Sequence, residues 1–377
     1  MSVHESAPRG RFHLVRMLPR DPDQEGRAAT PLELFFDLVF VIAVAMAASN
    51  LHHQLSDDHA LPGLASYLIV FFGIWWAWMN FTWFATSFAT DDWLYRVLTF
   101  IQMGGVVVLA AGIGPAFEEG AFVLIVLGYV VMRVALVGQW LRAARHAGDL
   151  RATTLTYAAG VAGLQAAWLA WLLVPEGPAR TASLLALVAA ELAVPVLAER
   201  RGSTPWHPHH ITERYGLFTI IVLGESLLGS ANAIIEALRG GGDVAELIAL
   251  SVLVLVTTAS LWWIYFWPPH FRHIGSLTSS LRYGYGHFVI LAAIGAMSAG
   301  VEVQIDVLTD HSELTEVAAS FTFSVPVAVF MVACWWLLVR EHAVPVVNVT
   351  MPIAAVLVLL DPVLPVPFPV TSLVLVA

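Results

Sequence analysis

The chain has 377 residues, 58% of them apolar and 12% charged, with a mean hydropathy of +0.76 and a formal charge of −10. Soluble domains carry about a quarter charged residues, so this composition excludes a soluble globular protein and points to a membrane. All 18 basic residues are arginine and the single cysteine is Cys334, which rules out lysine Schiff bases, phosphate loops of the GxxxxGK type and internal disulfides.

In chain order, residues 1–30 are polar and arginine-rich and lack the short apolar core of a secretory signal; they read as a cytoplasmic N-terminal segment. Thr30-Pro31-Leu32-Glu33 then reads as a capping box that starts a helix, with threonine at the N-cap, proline at the first helical position and glutamate reaching back. Apolar runs follow, each of about 18–25 residues, the length that crosses about 30 Å of hydrocarbon at 1.5 Å per residue. Lipid-exposed backbone must satisfy its own hydrogen bonds, so these runs are helices, and the ten-residue alternation of an outer-membrane barrel is missing.

The expected spans are 34–51, 64–85, 94–113, 121–142, 153–174, 181–198, 213–234, 244–267, 283–303, 317–339, 343–360 and 366–377. The last is short and follows prolines at 362, 365, 367 and 369, so eleven spans are the alternative to twelve. With the N-terminus inside, fifteen arginines fall on the cytoplasmic side and only Arg180 and Arg239 outside, while Arg133 sits within a span. This is the asymmetry of the positive-inside rule, and it puts both termini in the cytoplasm. The fold class is thus an all-α polytopic membrane bundle. A first membrane half (31–198) is joined by a polar connector (199–212) to a second (213–377).

The halves resemble each other. LFFDLVFVIA (34–43) matches GLFTIIVLGE (216–225), WWAWMNF (75–81) matches WWIYFWP (262–268), and LYRVLTF (94–100) matches RYGYGHF (282–288), with offsets rising only from 182 to 188. Two parallel six-helix repeats would produce this order and spacing. The same segments carry a family resemblance. TPLELFFDLVFV (30–41) is similar to the opening signature of the bacterial low temperature requirement protein A (LtrA) family. ERYGLFTIIVLGES (213–226), preceded by His210 and followed by Trp262, Trp263 and Tyr265, resembles its second signature. The resemblance implies a multi-spanning protein of the bacterial inner membrane, linked by name to growth in the cold. It implies placement, not mechanism.

Mechanism must come from polar residues inside the spans, since a charge at mid-depth costs about 3 kcal/mol and usually faces the bundle interior. Glu33 and Asp37 lie four residues apart on one helix face. The cap explains Glu33; Asp37, one turn deeper among phenylalanines, is either an interhelical partner or a proton- or cation-binding carboxylate. Counting from the span starts puts Arg133, Glu191 and Glu225 at about the same depth, roughly 18 Å. Two carboxylates sharing one arginine would leave a net negative site suited to a proton or small cation, the alternative being a structural ion pair. His287 should lie near the depth of Asp37 as a titratable relay or a helix–helix contact. Trp75, Trp76, Trp262, Trp263 and Tyr265 are candidates to wall an aromatic cavity, or simply to pack. The loop histidines His207, His209 and His210 with Glu213 fit no compact metal site, and no metal or cofactor is expected.

A proton-linked transporter or channel fits these features best, with Asp37 and Glu225 as protonatable sites, Arg133 and Glu191 as a partner pair and His287 as relay. Its partners would be the lipid bilayer and a proton, small ion or solute, with no nucleic acid. An intramembrane enzyme acting on lipid or isoprenoid substrates is the second reading, although HExxH, GxSxG and aspartate-rich motifs are missing. A sensory or scaffolding membrane protein is the third.

Overall fold

The computed structural model describes residues 14–240, 245–309, 311–364, 371 and 375. Twelve α-helices and no strand occur among them. They are α1 (Pro31–Ser56), α2 (Ala60–Phe88), α3 (Trp93–Ala111), the short α4 (Ile113–Glu118), α5 (Val123–Ala144) and α6 (Arg151–Trp171). Then come α7 (Pro178–Glu199), α8 (Pro208–Gly240), α9 (Ala245–Phe266), α10 (Leu277–Leu308), α11 (Glu316–Cys334) and α12 (Pro345–Leu360).

The first eleven expected spans each fall on a helix. The twelfth, 366–377, lies almost wholly outside the described residues. Nine of the described helices are long and apolar enough to cross a membrane, and α6 and α8 are not among them. Both begin with polar turns, Arg151 to Tyr157 in α6 and His209 to Arg214 in α8. The short α4 had no counterpart in the sequence reading.

Local chemistry sets the helix starts. Thr30 and Glu33 form the full capping box at α1, with Pro31 at the first helical position. Asp92 caps α3 through the Tyr95 N–H, Ser276 caps α10 in a second box, and Thr315 caps α11. Small residues set the closest crossings. A Cβ on Gly128 would collide with the Gly105 carbonyl, and one on Gly300 with the Thr322 carbonyl, so α3–α5 and α10–α11 approach at backbone contact.

Contacts between helix ends define two ends of the bundle. At one, here the near end, Arg142 at the end of α5 binds Asp92 at the start of α3, and Thr153 of α6 donates to the Gly202 carbonyl after α7 (2.9 Å). At the far end, Trp171 of α6 donates to the Arg180 carbonyl of α7 (3.0 Å) and Ser56 of α1 to Asp306 of α10 (2.7 Å). α1 packs on α2 and α3, α3 on α5, and α5 on α6; later in the chain α8 packs on α9 and α10, α10 on α11, and α11 on α12. Contacts of α1 with α8 and α10 join the two sets. The polar segments before α1 and α8 are folded in at the near end, where Arg142 donates to the Val15 carbonyl (2.8 Å) and the His207 ring meets the Gln24 carbonyl (3.0 Å).

Candidate functional site

Among the buried polar groups, four clusters carry charged or titratable side chains that tie one helix to another. The first joins α1 to α8. The Arg214 guanidinium is fully buried and grips Asp37 with two nitrogens, Nε to Oδ2 at 3.0 Å and NH2 to Oδ1 at 2.5 Å. Trp78 of α2 donates its indole N–H to the same carboxylate (2.6 Å). The third guanidinium nitrogen lies 3.3 Å from Glu33 Oε1, and His210 Nε2 lies 3.3 Å from that same oxygen. None of these three atoms makes an aligned hydrogen bond there; the Arg214–Glu33 contact is an ion pair, with the His210 ring beside it. The other Glu33 oxygen takes the Thr30 N–H and hydroxyl, each at 2.8 Å. Glu33 is therefore both helix cap and ionic partner of Arg214.

The second site lies among α2, α5, α6 and α7. Glu191 of α7 accepts from Arg133 (2.9 Å), Trp76 (2.8 Å), Tyr129 (3.0 Å) and Trp168 (3.1 Å). Four donors saturate the carboxylate, whereas Arg133 Nε and NH1 have no hydrogen-bond partner among the described residues. The expected pairing of Arg133 with Glu191 is thus present, but Glu225 is not part of it. Glu225 sits half-buried on α8 with Glu302 as its charged neighbour. The two-acid, one-arginine arrangement expected around Arg133 is found instead around Arg214.

His287 belongs to a third site and does not touch Asp37. A backbone carbonyl only accepts, so His287 Nδ1 donates to the Tyr283 carbonyl (2.7 Å) and Nε2 accepts from the Tyr265 hydroxyl (2.9 Å). By the same logic His270 Nε2 donates to the Tyr265 carbonyl (2.5 Å) and Nδ1 accepts from the Tyr283 hydroxyl (3.1 Å). Two histidines and two tyrosines close a ring in which every ring nitrogen is committed. Burial pushes His270, in the loop before α10, down to about 4, so it stays neutral. The arrangement ties α9 to α10.

The fourth site ties the far ends of α1 and α10. His52 Nε2 meets Asp306 Oδ2 at 2.6 Å, its Nδ1 lies 3.0 Å from Glu302, and Ser56 donates to Asp306 (2.7 Å).

The aromatic residues divide differently from the sequence reading. Trp75 and Trp76 are buried in a cluster with Phe72, Tyr285 and Phe288, Trp262 and Trp263 are 43% and 67% exposed on the outer surface, and Tyr265 is in the histidine ring. None of them walls the narrow aromatic cavity of about 40 Å³ at the near end, which is bordered by Trp83, Trp140, Tyr157, Trp206, Tyr285 and Glu199. Gln102 and Gln139 hydrogen-bond each other (3.1 Å) and tie α3 to α5. For a metal, His273, Glu341 and His342 bring one ligand atom each within 4.8 Å of one another, although Arg282 already holds Glu341 at 2.8 Å.

Sequence reasoning missed Arg214 and His210, which it counted among near-membrane loop residues. The signal was available: Glu33 and Asp37 in one signature and His210 and Arg214 ahead of or within the other are both spaced i,i+4, one face of acids and one of bases.

Comparison with known proteins agrees with the signatures. A protein of Rhizobium meliloti (strain 1021), described as the uncharacterized protein RA0937, is 28% identical over 306 residues, covering 76% of this chain and 72% of the relative. The family model of the bacterial low temperature requirement A protein (LtrA) matches residues 28–377. That match spans the Arg214 site, the Glu191 site and all the apolar helices, so the chain is an integral membrane protein that belongs to the LtrA family.

Proposed function

We propose that the protein is a proton-linked transporter or channel of the bacterial cytoplasmic membrane, built from two parallel halves with the near end facing the cytoplasm. The observation that carries this reading is Arg214 of α8, shared between Asp37 and Glu33 of α1. A proton arriving on Asp37 removes its charge, and Arg214 then has a second carboxylate within 3.3 Å to turn to. Proton binding would thereby change a contact that crosses between the halves, which is what coupling requires.

Two further features support the halves. The order of helix pairings in the first set recurs in the second. The partners Trp78 and Asp37 also have counterparts in Tyr265 and Thr219, both fully buried, whose positions lie 187 and 182 residues further on. The arginines of the near end support its cytoplasmic placement. A twelfth span over residues 366–377 would return the C-terminus to the same side. The His52–Asp306 contact would hold the far end closed while the cavity lies towards the near end. The His287 ring nitrogens are both committed, so the reading needs no relay there, and Glu225 stands apart from the coupling site.

The test is reconstitution in vesicles with a pH dye inside and a panel of ions and solutes outside. At least one gradient should drive a dye response that Asp37→Asn removes while Glu225→Gln keeps it. No response under any gradient, or an undiminished one in Asp37→Asn, would overturn the proposal.

A further inference from the structure

We infer that the near-end aromatic cavity binds a small organic cation, an amine or quaternary ammonium, opposite Glu199. This deepens the transport reading by naming the substrate class of its cavity, and it rests on that reading only for what binding would drive.

The cavity, a narrow space of about 40 Å³, lies between α2, α5, α6, α7 and the start of α10, so it takes a compact head group and not a large ligand. Its walls present the rings of Trp83, Trp140, Tyr157, Trp206 and Tyr285. Trp140 and Tyr157 stack face to face at 4.2 Å, and Trp83 meets Trp206 edge-on at 6.0 Å. Aromatic faces attract cations through the ring quadrupole, tryptophan most strongly. Among the described residues, Glu199 is the only charged one in the lining, and no arginine or histidine borders the space. An anion would therefore face a carboxylate and no base.

Glu199 differs from the other buried acids described above. Asp37, Glu191 and Asp92 each hold an arginine, and Glu33 has Arg214 and His210. Glu199 is 8% exposed and takes only neutral donors: the Tyr157 hydroxyl, the Thr204 hydroxyl and the Thr204 N–H, each at 2.8 Å. No cation lies at ion-pair distance among the described residues. A buried charge without a countercharge is costly, so the countercharge comes from a proton or from the cavity. The cavity also holds polar groups awaiting a partner: the Trp140 indole N–H and the Ser280 hydroxyl, both buried, have none among the described residues. They suit the polar substituent of an amine such as a hydroxyl or carbonyl.

Proton and organic cation then compete for one carboxylate. The titratable groups facing it are Tyr157 of α6 and Tyr285 of α10, while α2 and α5 face it with Trp83 and Trp140. Competition of this kind makes loading of the cation release the proton to solvent, the step that exchange needs.

The experiment uses the full chain in detergent and titrates it with choline and with 3,3-dimethylbutanol, its uncharged isostere, reading tryptophan fluorescence and calorimetry. Choline should bind saturably, at least tenfold more tightly than the isostere, and weaken as pH falls. Glu199→Gln should lose that preference. Because Glu199 also anchors the end of α7, Trp206→Leu serves as a second variant, and it should weaken choline by about threefold to tenfold without changing elution on size exclusion. Equal binding of the two isosteres, no binding of choline, or choline binding unmoved by both substitutions would each overturn the inference. Choline binding without any flux in vesicles would leave this inference standing and sink the transport reading; flux of other solutes without choline binding would do the reverse.

Discussion

Two arginine–carboxylate sites lie in the same bundle and are built to different ends. Arg133 and Glu191 connect α5 with α7, which both pack on α6, and the carboxylate is filled by four donors. Arg214 and Asp37 connect α8 with α1 across the two sets of helices, and the arginine has a second acid, Glu33, within 3.3 Å. Burying an ion pair is close to neutral in free energy compared with apolar packing, so stability alone does not distinguish them. The number of acids does. One acid with saturated lone pairs makes a clamp; two acids around one arginine make a contact that a proton can redistribute.

The largest expected effect is on the clamp. Glu191→Gln leaves Arg133 without a carboxylate in a dry interior and should cost about 3–5 kcal/mol of stability, read as early thermal unfolding in detergent. The paired change Arg133→Met with Glu191→Leu should restore most of that loss, because the uncompensated charge is gone. Asp37→Asn should cost less, about 2 kcal/mol, since a charge-assisted contact is lost while Arg214 keeps Glu33. Equal losses at the two sites would erase the distinction between clamp and switch.

This contrast also shows what the sequence could and could not reveal. Apolar run length made eleven of the twelve described helices legible, all but the short α4, and Thr30, Pro31 and Glu33 announced the start of α1 from four letters. Arg133 and Glu191 were legible as partners because charges deep in an apolar run have few alternatives. Arg214 was not, because it stands six residues into α8, where an arginine also suits the membrane boundary; only the packing of α8 on α1 turns it inward. Glu225 failed for the opposite reason: depth along a helix says nothing about which face a residue occupies, and on α8 that face looks towards Glu302. The cavity walls were illegible for a related reason. Trp83, Trp140 and Trp206 come from three separate segments and meet only through tertiary packing.

A third pair, Asp92 just ahead of α3 with Arg142 in the last turn of α5, lies at the near end and sharpens the comparison by moving it to the edge of the bundle. Burial pushes the Asp92 carboxyl up, but the Arg142 guanidinium and the N–H groups of Tyr95 and Val15 outweigh it and hold it below the usual carboxylate range. A depressed folded pKa means that the unfolded chain takes up the proton first as pH falls. The contribution is therefore whole above the unfolded value, about 4, and is lost as pH drops through the folded one. Asp92→Asn should lower stability by about 1.5–2 kcal/mol at neutral pH and by progressively less as pH falls below about 4. A gap between wild type and variant that does not close on acidification would mean that the side chain acts as a cap and not through its charge.

The smallest effects separate tryptophans that look alike in sequence. Trp76 supplies one of the four donors to Glu191 and stacks on Phe72 with ring centroids 5.9 Å apart. Trp76→Phe keeps the stacking and removes the donor, at a cost of about 1 kcal/mol. Trp263, in the matching WW pair of α9, is 67% exposed, and Trp263→Phe should stay within about 0.5 kcal/mol. Both losses can be read from thermal unfolding in the same detergent. If the clamp is held by its full set of donors, the first change should also make Glu191→Gln less costly in combination than the two losses added, because one carboxylate cannot be lost twice. Additive losses would show instead that Trp76 acts through its ring, and the Glu191 site would then be an ion pair surrounded by aromatic packing.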